Sequence, residues 1–257
     1  MGILNLTPDS FFDGGAYNTS KRALQQVEKM VQEGADFIDV GAFSSRPGAK
    51  QITAEEEEAR LFPVAKELVT RFPSVLFSVD TFRSHIAKKC LDVGFAMVND
   101  ISGGEDPKMF ATVAQYKVPY ILMHMQGTPE DMQQNPKYQD VVRELIYFFS
   151  EKIRQAYDAG INDVIVDPGF GFGKSLAHNY ELLRHLEFFK QLETPLLAGV
   201  SRKSMISKVL NVSPEDSLNG TTVLHTLCLK KGVNILRVHD VKAAKECITL
   251  VEKVQNS

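Results

Sequence analysis

The sequence is poor in the features that mark secreted, membrane-bound or polyanion-binding proteins. It has three cysteines, Cys90, Cys228 and Cys247, none in CxxC spacing and all in helix-like segments. That excludes a disulfide-stapled scaffold and reads as buried thiols in a reducing compartment. No apolar run approaches the roughly 20 residues of a spanning helix. No basic-apolar leader precedes the first strand pattern. Charge of one sign is not in excess: the net charge is −3 and the pI about 6.1, so nothing favours nucleic acid or an anionic membrane as partner. Linkers and low-complexity tracts are missing too. These absences predict a cytoplasmic protein with one domain over residues 1–257.

What is present is ordinary globular composition, 44% hydrophobic and 24% charged, arranged as a repeat of short β-branched runs and amphipathic segments. Strands are expected at Met1–Thr7, Phe37–Gly41, Val75–Asp80, Met97–Ile101, Tyr120–Met123, Val164–Asp167, Pro195–Gly199 and Asn234–Val238. Helices are expected at Thr19–Glu33, Thr53–Arg71, Ser84–Val93, Pro107–Tyr116, Asp140–Ala159, Ala177–Leu192, Ser213–Lys231 and Val241–Val254. Thr53-Ala-Glu-Glu56 supplies a capping box, and Ser213-Pro-Glu-Asp216 a helix start with proline in the first turn. Eight β-α repeats in about 250 residues is the count of a (β/α)8 TIM barrel, with a doubly wound open sheet as the second choice.

The most informative stretch is Val164-Ile-Val-Asp-Pro-Gly-Phe-Gly-Phe-Gly-Lys174. A strand ends in a carboxylate, proline stops it, and three alternating glycines frame two phenylalanines. Gly173-Lys174-Ser175 ends like a phosphate-binding P-loop, but the glycine required five residues before Gly173 is Pro168, so that motif fails. A glycine-aromatic loop behind an acid suits a flat ligand with a polar edge.

In such barrels function sits at the carboxyl ends of the strands. Those ends carry Asn5, Asp39, Asp80, Asn99, His124, Asp167, Ser201 just past the seventh strand, and Arg237 with His239. So many polar groups in a barrel mouth are costly unless paired or bound to a ligand. The two-residue period places Asp80, Asn99 and Asp167 on inward faces, where they accept hydrogen bonds from ring N–H groups. Met123, Phe170 and Phe172 supply apolar faces. A second region is expected to gather Arg237, His239, Arg46 and Asn5 for phosphate, with Lys203 between the two.

Taken together, these motifs resemble the dihydropteroate synthase family. The residues carrying the likeness are Met1-Gly-Ile-Leu-Asn-Leu-Thr-Pro-Asp-Ser-Phe11, Ser45-Arg-Pro-Gly48, Phe77-Ser-Val-Asp80, Asn99-Asp-Ile101, Leu122-Met-His-Met125, Asp167 to Lys174, Ser201-Arg-Lys-Ser204 and Arg237-Val-His239. The resemblance spans the chain. It implies transfer of a dihydropterin-methyl group from its diphosphate to 4-aminobenzoate in folate biosynthesis, with Mg²⁺, in a homodimer that sulfonamides target. It implies pterin contacts from Asp80, Asn99, Met123, Asp167, Phe172, Gly199 and Lys203. Diphosphate contacts would come from Asn5, Ser45, Arg46, Arg237 and His239, with Asn5 on the metal. The aminobenzoate site would use Ser45, Arg46, Pro47, Phe172, Lys203 and Ser204, and Thr7, Asp9, Ser10 and Phe11 would form a flexible loop.

Two departures stand out. Family members usually carry a short segment before the first strand. Many also have an acid near Phe43 and a threonine at Ser45, whose hydroxyl is retained here. The rival within the same fold is a pterin-binding methyltransferase, which expels no diphosphate and so gives Arg46, Arg237 and His239 no task.

Overall fold

Val164-Ile-Val-Asp167 shows how each strand divides the core. Val164 and Val166 pack outward against the helices, whereas Ile165 and Asp167 point inward. The same alternation sets Ile38 and Val40 outward, and Tyr120 and Leu122 outward of Ile121. The computed structural model describes residues 1–6, 15–43 and 52–256.

Within these residues the strands are β1 (Gly2–Asn5), β2 (Phe37–Gly41), β3 (Leu76–Asp80), β4 (Met97–Asp100), β5 (Tyr120–Met123), β6 (Val164–Asp167), β7 (Leu197–Ala198) and β8 (Ile235–Leu236). All pairings are parallel, in the order β1 to β6, with β7 beside β8. A bridge from Val166 to Leu196, with Val166 N to Pro195 O at 2.9 Å, joins β6 to the seventh strand. The ring closes where Ile3 N meets Val238 O at 3.0 Å and Val238 N meets Met1 O at 2.9 Å. This is an eight-stranded α/β barrel.

The helices are α1 (Gly15–Gln32), α2 (Ala54–Arg71), α3 (Ser84–Asp92), α4 (Met109–Tyr116), α5 (Val141–Asp158), α6 (Leu176–Arg184), α7 (Ser204–Leu210), α8 (Leu218–Lys230) and α9 (Val241–Gln255). Thr53 Oγ1 caps α2 by accepting from Glu56 N at 3.2 Å, which is the Thr53 half of the expected capping box. None of these helices is long and apolar enough to cross a membrane.

Three expectations change. The segment expected as one helix over Ala177–Leu192 breaks at His185, and Leu186–Leu192 continues as a 3₁₀ helix. Leu186 and Phe189, three apart, are its buried residues, which suits three residues per turn. The helix expected from Ser213 begins at Leu218. Ser213 and Asp216 bond each other instead, with Ser213 Oγ to Asp216 Oδ2 at 2.9 Å and Asp216 N to Ser213 Oγ at 3.2 Å. Such side chains compete with the helical ladder. Helix α7 was not expected at all. It has seven residues and ends on Asn211 at φ +54°, too short to give a periodic pattern.

Inside the barrel, Met1, Met97, Ile121, Ile165 and Leu197 form an apolar floor with Phe37 and Ile235. Each such buried side chain contributes roughly 1.5–3 kcal/mol, so the floor stays filled and a ligand enters from the carboxyl ends. Above it a second cluster, Phe43, Ile101, Met123, Met132 and Phe172, lines the rim.

Candidate active site

Between floor and rim lies a layer of charge. Asp39 is fully buried. Its Oδ2 accepts from Asn99 Nδ2 at 2.8 Å and from Arg237 Nε at 2.7 Å. The same guanidinium donates through Nη2 to Asp80 Oδ2 at 2.6 Å. Asp39 Oδ1 is buried without a hydrogen-bond partner among the described residues. One arginine thus serves two carboxylates at the bottom of the site.

The electrostatics follow. Burial raises the Asp80 pKa to about 7, Arg237 opposes that rise, and the neighbouring Asp39 charge adds to it. Burial likewise raises Asp167, against the pull of Lys203. Burial works against the Arg237 charge, but Asp39 and Asp80 outweigh it and hold its pKa above the ordinary value.

Lys203 caps the other side. Its Nζ donates to Phe170 O and stands 4.5 Å above the Phe172 ring. Burial lowers its pKa to about 8, although Asp167 pulls the other way. A side chain at Gly199 would meet Lys203 Nζ at 3.9 Å and Arg237 Cβ at 4.0 Å, so this glycine keeps the space between them open. Asp167 Oδ1 accepts from Gly169 N at 2.8 Å, which fixes the carboxylate to the loop that follows it. Gly169 has φ +67°, and a Cβ there would collide with the carbonyl oxygen of His124.

Of the residues named from sequence, Asp80, Asn99, Asp167, Gly199, Lys203 and Arg237 meet in this layer, with Met123 and Phe172 beside it. The separate phosphate region expected around Arg237 takes a different form. Arg237 turns in toward the acids, while His239, two residues on, is exposed and bonds through Nδ1 to Ser201 Oγ at 3.1 Å. Asn5 is half-buried at the end of β1, and Ser204 is exposed at the start of α7. Thr7, Asp9, Ser10, Phe11, Ser45, Arg46 and Pro47 lie outside the described residues.

Sequence reading missed how these side chains are supported. Arg202, at φ +55°, makes a bidentate pair with Asp240 at 2.7 and 2.8 Å, tying the β7 and β8 loops together. Gln133, Tyr138 and Asn179 bond the backbone of the glycine loop. Arg202, Gln133 and Tyr138 have no spacing signal, because their partners lie 35 or more residues away.

A family model described as pterin binding enzyme matches residues 1–239. The chain is 44% identical to the dihydropteroate synthase of Escherichia coli (strain K12) over 98% of its length and 90% of that protein. The chain belongs to the dihydropteroate synthase family. It is 40% identical to the Haemophilus influenzae dihydropteroate synthase, over 100% of this chain and 94% of that one. Among solved structures, the Yersinia pestis dihydropteroate synthase with a sulfonamide drug superposes with a TM-score of 0.94 at 42% identity, covering 100% of this chain and 94% of the other. The Xanthomonas albilineans enzyme with 4-aminobenzoic acid gives 0.93 at 41% identity, covering 100% and 93%.

Proposed function

We infer that this barrel condenses (7,8-dihydropterin-6-yl)methyl diphosphate with 4-aminobenzoate, giving 7,8-dihydropteroate and diphosphate. The observation that carries the assignment of roles is the layer of Asp39, Asp80, Asn99 and Asp167 under Lys203 and Phe172, fed by one shared arginine. The acids and amide offer acceptors to the N–H edge of a pterin, and Phe172 and Met123 offer apolar faces.

The charge balance suits the reaction. Three acids, Asp39, Asp80 and Asp167, face two basic side chains, Arg237 and Lys203. As the C–O bond to diphosphate lengthens, positive charge develops on the exocyclic methylene and spreads into the electron-rich ring. Fixed carboxylates in a water-poor site stabilise that charge without reorganising. The arylamine nitrogen then attacks the methylene and releases its proton. No covalent enzyme intermediate is required, so no nucleophile–base pair is expected.

Asn5, Ser45, Arg46, Arg237 and His239 are assigned to the diphosphate, and Ser45, Arg46, Pro47, Phe172, Lys203 and Ser204 to aminobenzoate. Sulfonamides would compete at the second site. Among the described residues no cluster of three or more His, Cys, Asp or Glu is placed to hold a metal. The Asn5 amide oxygen is a hard donor, and Mg²⁺ takes few protein ligands when substrate phosphates supply the rest. Asn5 therefore fits as its protein contact, and the ion would neutralise the departing diphosphate.

A second copy of the chain is the proposed partner. Val209, Leu210, Val223, Leu227, Leu250 and Val254 are exposed on α7, α8 and α9, an apolar array that suits a homodimer interface. The free thiols support a reducing compartment, and we place the protein in the cytoplasm. Aminobenzoate-dependent release of diphosphate by the purified protein is the test.

A further inference from the structure

Lys174 ends the glycine loop, and the chemistry above makes no use of it. Its side chain is 2% exposed. Its Nζ lies 2.9 Å from Phe172 O, 3.0 Å from Gly169 O, 3.0 Å from His124 Nδ1 and 3.3 Å from His124 O. All four groups are neutral. Burial pulls its pKa well below the ordinary value, while Asp167 pulls it upward. Nζ donates to the two loop carbonyls at 3.0 Å or less, and its contact with His124 Nδ1 runs in the direction that the imidazole tautomer sets. His124 is held neutral, since burial and the adjacent lysine drive its pKa to about 2. Its Nδ1 meets Lys174 Nζ as acceptor from the lysine in one tautomer and as donor to a neutral amine in the other, and the contact ties the two side chains in both.

The loop needs such a partner. Gly169, Gly171 and Gly173 have φ of +67°, +81° and +61°, so no helical or strand ladder serves their backbone. Apart from Phe172 N, which donates to Gly169 O at 3.0 Å, side chains do so instead. Lys174 takes Gly169 O and Phe172 O, and Lys203 takes Phe170 O. Gln133 Nε2 reaches Gly171 O at 2.6 Å, and Tyr138 Oη reaches Gly173 O at 2.8 Å. Ser175 begins α6 directly behind, with a capping box to His178. Lys174 is thus the only one of these donors to hold two loop carbonyls and the end of β5 together.

We propose that Lys174 is a positioning residue, a buried hydrogen-bonding amine that ties the Gly169–Gly173 loop to His124 and thereby fixes where Phe172 and Lys203 stand. Only its consequence for ligand binding rests on the assignment of Phe172 and Lys203 to the pterin pocket.

The test uses Lys174→Met, Lys174→Gln and Tyr138→Phe in the full chain, below each variant's melting temperature. Trace acetylation read by mass spectrometry reports Lys203, with the exposed Lys29 as internal reference. Calorimetry with 6-hydroxymethylpterin, which lacks diphosphate, reports the pocket. Lys174→Met should raise Lys203 labelling roughly fivefold, the equivalent of one released hydrogen bond. It should weaken pterin affinity roughly tenfold or more, as a misplaced site does. Lys174→Gln keeps two N–H donors and should fall between it and wild type, and Tyr138→Phe should shift both readouts slightly in the same direction. A lower melting temperature with both readouts unchanged would overturn the proposal, because Lys174 would then be structural only. If Lys174→Met does not fold, unchanged readouts in the other two variants overturn it and graded changes support it. Raised labelling with unchanged pterin affinity would leave the clamp standing and remove Lys203 and Phe172 from the pterin pocket.

Discussion

Arg237 Nη2 lies 2.6 Å from Asp80 Oδ2, and the same guanidinium holds Asp39 through Nε at 2.7 Å. Two carboxylates therefore depend on one cation in the barrel interior. Removing one partner of a buried pair typically costs about 3–5 kcal/mol, because the other charge is left uncompensated. Arg237→Met should lose stability of about that size in urea unfolding. Adding Asp39→Asn should restore part of the loss, since one stranded charge is removed. Additive losses in the double variant would mean the two groups are not coupled.

Asp167→Asn tests the pterin edge. It keeps the shape but turns one acceptor into a donor, against a ligand edge that needs acceptors. Calorimetry should show a loss of roughly 2–4 kcal/mol in pterin binding. Unchanged affinity would place Asp167 outside the pocket.

Aminobenzoate binding should depend on the leaving group. If diphosphate completes the aminobenzoate site through Arg46 and Pro47, aminobenzoate should bind weakly to the free protein. Diphosphate with Mg²⁺ should tighten it, as one ligand orders what the other needs. Equal affinity with and without them would contradict that order.

His225 predicts a pH effect on stability. It is 1% exposed, and neither ring nitrogen has a hydrogen-bond partner among the described residues. Burial lowers its pKa from 6.5 to about 4. Between those values the unfolded chain binds the proton and the folded chain does not. Its contribution is therefore complete above about pH 6.5 and falls with pH by about 1.4 kcal/mol per unit until about pH 4. Asp80, raised to about 7, acts in the opposite sense over the same range, so wild type alone is a poor test. His225→Leu removes only the histidine term. Relative to wild type it should gain about 2 kcal/mol more at pH 5 than at pH 8. The same difference at both values would show that His225 does not titrate with folding.

Much of this was legible in the sequence because it is local. Strand alternation placed Asp80, Asn99 and Asp167 inward, and Pro168 with three glycines marked the loop. The pairing of Arg237 was not legible, since Asp39 and Asp80 lie 198 and 157 residues away. The sequence does not reveal which barrel face closes on which. Lys174 was visible as the end of the glycine motif and the tail of a failed phosphate motif, but most of its partners are carbonyls, which no residue type announces. Helix α7 was hidden by its length, and Ser213 by a side chain that mimics a cap while forming a turn.

The central claim is that this barrel joins a pterin to an arylamine with loss of diphosphate. Purified protein is mixed with the dihydropterin diphosphate, Mg²⁺ and 4-aminobenzoate, and both diphosphate and product mass are followed. The account predicts 7,8-dihydropteroate and diphosphate in equal amounts, neither forming without aminobenzoate, and turnover strongly reduced in Asp167→Asn. Diphosphate release that ignores aminobenzoate, or no product of the condensed mass, would contradict it.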